Sequence, residues 1–214
     1  MNTLNTWWCF KDALGKNTCD RILNLWKEPA AAGMVGKEEF EESQRKHYGE
    51  KEDLGELYFD LNKEECNSDV TWSNDQWIYD IVWPYLHEAN EMAGWKYDIT
   101  GAESMRILRY KEGGFYKLHR DGFNCHLSVY DRPQDAVYHG NVRKLSMIVL
   151  LNDDFEGGNF QLIDYKEKDY TIDTPIGSAG TIIVHPADAE HGVDIVTKGI
   201  RYTLIVWYVG PPFK

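Results

Sequence analysis

Apolar residues recur at helical spacing in a short stretch near the start of the chain. The stretch begins at Asn17 or Thr18, either of which can cap a helix, and it ends near Trp26, with Pro29 just beyond. This pattern predicts a short amphipathic helix. Residues 36–70 are instead polar, charged and weakly periodic, which predicts a long loop or a lid.

A second and longer helical pattern follows that polar segment. Ser73 or Asn74 is expected to cap the helix, Gly94 to end it, and Pro84 to kink it. The expected buried face consists of Trp77, Ile78, Ile81, Val82, Tyr85, Ala89 and Met92.

After residue 102 the pattern changes to short runs of β-branched, aromatic and aliphatic residues separated by turn residues, which predicts strands. The predicted strands are Ser104 to Tyr110, Phe115 to His119, Lys144 to Leu151, Phe160 to Ile163, Thr181 to Val184, Val193 to Val196 and Tyr202 to Val209.

Helices followed by many short strands predict an α+β protein, in which N-terminal helices buttress one face of an antiparallel barrel or sandwich. The chain has no internal repeat, low-complexity tract or convincing linker. We therefore expect residues 1–214 to form a single domain, with helical support and the lid segment in 1–101 and a β-rich core in 102–214.

Composition and charge limit the possible partners. The 214 residues carry a formal charge of -12 and a pI near 5.0, which disfavours nucleic acid and an anionic membrane surface and mildly favours neutral or basic substrates. No apolar run approaches the length of a membrane span. The cysteines are widely separated, which indicates neither a zinc site nor a disulfide framework, so we expect a cytoplasmic protein. No pattern in the sequence indicates the oligomeric state.

Candidate chemistry begins at His119-Arg120-Asp121. Residues i and i+2 of a strand point to the same face, so this imidazole and this carboxylate can converge on one ion. The motif alone is more often a hydrogen-bonded His–Asp pair than a metal site. His191, just ahead of another apolar run, would complete a set of two histidines and one carboxylate, the facial triad of non-haem iron(II) oxygenases.

Arg201 is the second candidate. It lies in phase with Thr203, Ile205 and Trp207 on the last strong strand, so it points into an apolar pocket if that face is inward. A buried arginine requires a partner, and a dicarboxylic acid suits its planar fork. The alternative is a solvated arginine after the Lys198-Gly199 turn.

Several motifs occur in an order that resembles the catalytic half of the prolyl 4-hydroxylase family of iron(II)- and 2-oxoglutarate-dependent dioxygenases. They are Tyr110-x-x-Gly113-x-x-Tyr116-x-x-His119-x-Asp121, Leu150-Leu151-Asn152, Phe155-Glu156-Gly157-Gly158, His191-Gly192 and Gly199-x-Arg201. The resemblance covers about residues 103–209. It implies a double-stranded β-helix, or jelly roll, with residues 102–214 as the catalytic core.

The resemblance also implies roles for individual residues. His119, Asp121 and His191 match the iron ligands, and the family register favours His191 over His185, which also lies near a strand end. Arg201 matches the cation that pairs with the distal carboxylate of 2-oxoglutarate, a position where collagen-type enzymes usually carry lysine.

The resemblance also implies roles for three aromatic residues. Tyr110 matches a tyrosine that hydrogen-bonds 2-oxoglutarate, and Tyr116 and Trp207 match positions that line the pocket for the target side chain. The segment 122–141, with Cys125, His126 and His139, has no counterpart that defines a substrate; both histidines are interpreted as loop residues.

The implied reaction uses Fe(II), 2-oxoglutarate and dioxygen, with ascorbate as a candidate reductant, and the implied substrate is peptidyl proline. A hydroxylase of a free amino acid or small metabolite is the first alternative. A non-catalytic cupin-like metal- or ligand-binding protein is the second. Nucleic-acid demethylation is disfavoured because Trp207 stands where that branch has a second arginine.

Overall fold

The computed structural model of the chain describes residues 5–27, 31–32, 65–122, 128–163, 171–173 and 177–213. Two antiparallel sheets face each other, and two described helices, α1 (Lys16–Leu23) and α2 (Gln76–Met92), cover the outer face of the larger sheet. The architecture is the predicted α+β double-stranded β-helix. The described residues include no helix that is both long and apolar enough to cross a membrane.

The described strands form a large sheet, a small sheet and a two-stranded ribbon. The large sheet contains, in spatial order, β1 (Trp8–Phe10), β12 (Ile182–Pro186), β8 (Val142–Leu150), β15 (Arg201–Gly210), β6 (Met105–Tyr110), β4 (Asp69–Ser73) and β2 (Ala31–Ala32), and β5 (Gly101–Ala102) pairs with β15. The small sheet contains β11 (Thr171–Asp173), β10 (Phe160–Ile163), β13 (His191–Val193), β7 (Phe115–His119) and β3 (Cys66–Asn67). The ribbon consists of β14 (Val196–Lys198) and β9 (Glu156–Gly157).

The central strands of the large sheet are buried on both faces. Successive side chains of a strand point to opposite faces, so Met147 and Val149 pack under the helices while Ile148 points at the small sheet. In the same way, Leu204 and Val206 join the helix-side core. The alternate residues of β15 therefore point into the space between the two sheets.

The helices lie where they were predicted, except at their ends. The predicted caps Asn17 and Thr18 lie inside the first helix, which begins after Gly15, and Met92, predicted on the buried face of the second, is exposed. The first ends at Leu23 because Leu25 and Trp26 close tighter turns, with their N–H groups donating to the carbonyls of Ile22 and Leu23. The second begins after Asp75, so Ser73 is not its cap and lies in β4. Pro84 lies inside this helix, and Gly94 follows it with a φ of 80°.

Several strand predictions need correction. The predicted strand from Val193 to Val196 is two strands in different sheets, β13 and β14, because the chain leaves the small sheet at Asp194. The end of the predicted loop at residues 36–70 forms β3 and part of β4, which pair with β7 and β6. Residues 36–64 of that segment lie outside the described part of the chain.

Three of the four cysteines lie in the described part of the chain. Cys9, Cys19 and Cys66 are free thiols. Cys125 and His126 lie outside the described residues, and His139 is exposed in a loop, 3.7 Å from a carboxylate oxygen of Asp131.

The packing of α2 on the large sheet generates a stability prediction. Leu86 is fully buried on the face of α2 that packs against the large sheet, so Leu86→Ala is expected to lower the free energy of unfolding by about 2–5 kcal/mol. Glu88 lies on the exposed face of the same helix, so the control Glu88→Ala should change the free energy of unfolding by less than about 0.5 kcal/mol. Chemical denaturation of both variants measures the difference, and equal stabilities would contradict the buttressing role of α2.

Candidate metal centre and anion pocket

Two neighbouring strands of the small sheet bring His119 and His191 together. β7 and β13 are antiparallel, and His191 is the direct register partner of His119. Gly192 permits this close pairing, because a Cβ atom there would lie 2.8 Å from the carbonyl oxygen of Tyr116. The two imidazole rings are 4.3 Å apart between their centroids.

Asp121 reaches the same point from the chain just beyond β7. Its N–H donates to the carbonyl of Ala187 at 2.8 Å, and its Oδ2 accepts a 2.5 Å hydrogen bond from the Ser146 hydroxyl of the large sheet. Its two oxygens lie 3.5 Å from the Nε2 atoms of His119 and His191. Candidate ligand atoms of the three residues all fall within 4.8 Å of one another, so they could hold one metal ion.

The hydrogen bonds of both histidines fix the tautomer that a metal requires. The Nδ1 of His119 lies 2.8 Å from the Lys117 carbonyl, and the Nδ1 of His191 lies 2.9 Å from the Ala189 carbonyl. A carbonyl can only accept, so each Nδ1 carries the hydrogen. In its neutral form, each ring would therefore present the lone pair of Nε2 toward Asp121.

Electrostatics favour the charge states of a ligand set. Burial lowers the pKa of His191 against the opposing attraction of Asp121, so this ring is neutral. Burial alone would raise the pKa of Asp121, but His191, His119 and Arg143 outweigh it and hold the pKa well below its usual value. An ionised carboxylate and a neutral imidazole are the forms that bind metal.

His185, the rival histidine of the sequence, lies on the large sheet behind His191. It is fully buried, its ring centroid is 4.4 Å from that of His191, and its Nδ1 contacts the Pro186 carbonyl at 2.8 Å. It is not a member of the group whose ligand atoms converge. The geometry therefore favours His191 as the third candidate ligand.

Arg201 lies in the same pocket as the three candidate ligands, with its side chain fully buried. Its Nε and Nη2 atoms have no hydrogen-bond partner among the described residues. Burial lowers the pKa of Arg201 to about 10, so the guanidinium stays charged at neutral pH. Gly158 leaves room for it, since a Cβ there would lie 2.9 Å from the Arg201 Cδ. A charged fork without a partner constitutes an anion site.

Two neighbours extend this anion site. Tyr110 is the register partner of Arg201, and its ring centroid lies 5.4 Å from the guanidinium carbon. Burial raises the pKa of Tyr110, so its phenol remains a neutral hydrogen-bond donor. The buried hydroxyl of Thr203, the next inward residue of β15, has no partner in the described part of the chain.

The aromatic residues predicted to contact the substrate also line this pocket. Tyr116 stacks on the His119 ring with a centroid separation of 3.6 Å. Trp207 is buried, and its indole N–H has no partner among the described residues. Both side chains border the space next to the three candidate ligands.

Sequence reasoning missed two contributors to the pocket. Ser146, which donates to Asp121, lies in an apolar strand and carried no recognisable signal. Arg106 lines the pocket from β6 in phase with Leu108 and Tyr110, and the same i, i+2 rule that placed Arg201 would have found it.

A family model matches the β-rich half of the chain. The model of the 2OG-Fe(II) oxygenase superfamily matches residues 105–209. This range contains all the candidate ligands and both pocket arginines. No curated protein sequence matches the chain significantly.

Solved structures match over nearly the whole chain, at low sequence identity, and they support the fold. A viral collagen prolyl hydroxylase of Paramecium Bursaria Chlorella virus-1 is 17% identical with a TM-score of 0.59, covering 96% of this chain and 97% of that one. A Pseudomonas putida prolyl-4-hydroxylase is 15% identical with a TM-score of 0.56, covering 95% and 91%. A Trichoplax adhaerens prolyl hydroxylase in complex with a hypoxia inducible factor peptide fragment is 16% identical with a TM-score of 0.59, covering 95% and 83%.

The convergence of the three ligand atoms generates a metal-binding prediction. His119→Ala, Asp121→Ala and His191→Ala should each weaken Fe(II) affinity by more than about 100-fold, because loss of an outer partner alone typically costs 10- to 100-fold. Anaerobic titration calorimetry measures this, with circular dichroism to check the fold. His185→Ala should retain affinity within about tenfold. Tight binding by His191→Ala together with loss in His185→Ala would show that the wrong histidine was chosen.

The unpaired guanidinium generates a second prediction. Arg201→Ala should weaken 2-oxoglutarate binding by about 2–5 kcal/mol, whereas Arg201→Lys should retain part of the affinity through a point charge without the fork. Calorimetry with Zn(II) in place of iron measures binding without turnover. Arg109→Ala, which removes an arginine paired with Asp69, is the control. Unchanged affinity in Arg201→Ala would exclude the assigned role.

Proposed function

We propose that this chain, an enzyme of the 2OG-Fe(II) oxygenase superfamily through its residues 105–209, hydroxylates a prolyl residue within a peptide. The observation that carries the proposal is the buried guanidinium of Arg201, which has no partner in the described part of the chain and lies in the same pocket as a converging His–Asp–His set. Two different ligands, a metal and an anion, are thus implied within one cavity.

The residues present fit both groups that the superfamily uses. His119, Asp121 and His191 would hold Fe(II), since two imidazoles and one carboxylate leave coordination positions open. Arg201 would pair with the distal carboxylate of 2-oxoglutarate, and Tyr110 and Thr203 would donate hydrogen bonds beside it. Once bound, these groups supply the oxidising chemistry, in which dioxygen delivers one atom to succinate and one to the product, with loss of carbon dioxide.

The protein's own contribution is to position groups and exclude water. Ser146 holds the Asp121 carboxylate by a hydrogen bond, and backbone carbonyls hold both histidine rings. Apolar side chains, including Leu108, Ile148 and Val193, line the rest of the pocket and keep it dry.

The peptidyl substrate is supported by the aromatic border of the pocket. The faces of Tyr116 and Trp207 suit a pyrrolidine ring, and a proline-rich segment is already extended, so it loses little entropy on binding. The matching Trichoplax adhaerens enzyme binds a peptide fragment in its solved complex. We further propose that ascorbate serves as the reductant.

A peptide panel tests the substrate assignment. Wild type with Fe(II), 2-oxoglutarate and air should add one oxygen to proline-rich peptides and release succinate, as measured by mass spectrometry. Tyr116→Ala should raise the peptide KM by about tenfold through loss of an aromatic contact. Phe213→Ala, an exposed aromatic residue outside the pocket, should leave it unchanged.

The same panel separates the alternatives. Oxygenation of free amino acids without any prolyl peptide would overturn the peptidyl assignment while leaving the oxygenase chemistry intact. Iron and 2-oxoglutarate binding with no succinate release under any condition would favour the non-catalytic cupin-like alternative.

A further inference from the structure

A second arginine lines the pocket, and the proposed chemistry leaves it without a function. Arg106 lies on β6 with Trp72 and Ile205 as its register partners on either side. Its guanidinium carbon lies 4.2 Å from the ring centroid of Trp72 and 4.1 Å from that of Trp207. Two indoles therefore flank the guanidinium, and Trp72, which is 51% exposed, places this arrangement at the pocket mouth.

Within the described part of the chain, Arg106 has no carboxylate partner and its buried Nε has no hydrogen bond. The nearby carboxylates are already engaged elsewhere. Glu103 accepts two hydrogen bonds from Arg143, at 2.5 and 2.8 Å, and one from the Tyr130 hydroxyl at 2.6 Å. Asp121 belongs to the candidate metal ligands.

Arg106 is nevertheless charged under ordinary conditions. Burial, followed by the neighbouring Arg143, lowers the pKa of Arg106 to about 10, so it keeps its proton at neutral pH. Two other arginines of the same sheet are paired: Arg143 with Glu103, and Arg109, three residues further along β6, with Asp69 at 2.7 Å. Among the described residues, Arg201 on β15 shares the lack of a partner. The missing partner is therefore a property of this position and not of the sheet.

The two unpaired arginines stand at separate points of the cavity. Tyr110, the register partner of Arg201, lies four residues along β6 from Arg106, a distance of about 13 Å in an extended strand. If 2-oxoglutarate occupies Arg201, then Arg106 remains free on the side where the primary substrate enters. Stacking on indole covers the faces of a guanidinium and leaves its in-plane N–H groups for a planar acceptor.

We propose that Arg106 binds a carboxylate of the primary substrate, and hence that the substrate is anionic close to the carbon that is hydroxylated. The inference rests on the proposed function, which assigns Arg201 to 2-oxoglutarate. The carboxylate belongs to an acidic side chain beside the proline, to a peptide C-terminus, or to a free amino acid; all three offer the same planar acceptor. The charge of the whole chain, -12, would have favoured the opposite choice of substrate.

Binding to the Zn(II)- and 2-oxoglutarate-loaded protein tests this without turnover. The probes are matched acid and amide pairs: peptides with Pro-Glu or Pro-Gln, N-acetylproline or its amide, and free proline or prolinamide. At least one acid should bind about tenfold or more tightly than its amide, as expected for a hydrogen bond to a charged group. Titration calorimetry gives the ratio, and the pair that shows it identifies the source of the carboxylate.

Variants connect the preference to Arg106. The acid-to-amide ratio is measured within each protein, so a general loss of stability does not affect it. Arg106→Gln should reduce the ratio to within about twofold, and Arg106→Lys should retain an intermediate value, because it keeps the charge without the fork. Arg109→Gln, on the same strand and paired with Asp69, should keep the wild-type ratio. Absence of a preference in every wild-type pair, or a preference that survives Arg106→Gln, overturns the proposal.

A non-prolyl pair separates this inference from the proposed function. N-acetylleucine and its amide are titrated beside the prolyl probes, and all the probes are then assayed for gain of oxygen with Fe(II). An acid preference that depends on Arg106 but occurs only with non-prolyl probes would exclude the prolyl substrate and support the role of Arg106. If prolyl acids and amides bind with equal affinity and both are hydroxylated, the role of Arg106 is excluded and the prolyl function is supported.

Discussion

Burying Arg201 without a partner among the described residues costs free energy, and the rest of the molecule must nevertheless hold the side chain in the pocket. An ion taken out of water costs several kcal/mol even after relaxation, and a flexible strand would rotate such a residue toward solvent. β15 cannot do so, because Leu204, Val206 and Tyr208 on its other face are fixed in the core beneath the helices. A one-residue slip would move every side chain to the wrong face.

The two cores of the protein therefore have different tasks. The core between the helices and the large sheet supplies most of the apolar packing and sets the register of β8, β15 and β6. The smaller core between the sheets surrounds the pocket and includes Phe160 and Leu162. Ser146 shows how the two sheets are connected, since it lies on the large sheet and holds Asp121 of the opposite side by a hydrogen bond. Arg201 and Ser146 are thus fixed by strands whose other faces are buried in the helix-side core, and Asp121 is held through its hydrogen bond from Ser146.

Local patterns in the sequence predicted much of this arrangement. The runs Phe115–His119 and Phe160–Ile163 begin and end where the strands do, because alternating or apolar residues between turn residues are a strong strand signal. The two-residue period also placed Arg201 toward the pocket. Strands such as Trp8–Phe10 and Cys66–Asn67 escaped prediction because they are too short to show a period, and their neighbours in the sheet define them.

Other features depend on contacts distant in sequence. Both His185 and His191 lie near a strand end, so the local pattern does not distinguish them, whereas the pairing of β13 with β7 places His191 opposite His119. The break between Val193 and Val196 depends on the ribbon formed with Gly157, whose φ of 72° no periodicity reveals. Ser73 has the side chain of a helix cap, yet its pairing with Met105 retains it in β4.

Net charge and pocket charge act over different distances in this protein. At physiological ionic strength, charges on the acidic surface are screened beyond about 8 Å of water, so they influence encounter more than the bound state. A carboxylate that reaches Arg106 between the two indoles loses much of that water, and its attraction is screened much less. Composition can therefore disfavour an anionic partner while the pocket selects one. For this reason the substrate has to be inferred from the unpaired groups that line the cavity, and the sum of the charges in the sequence is a poor guide to it.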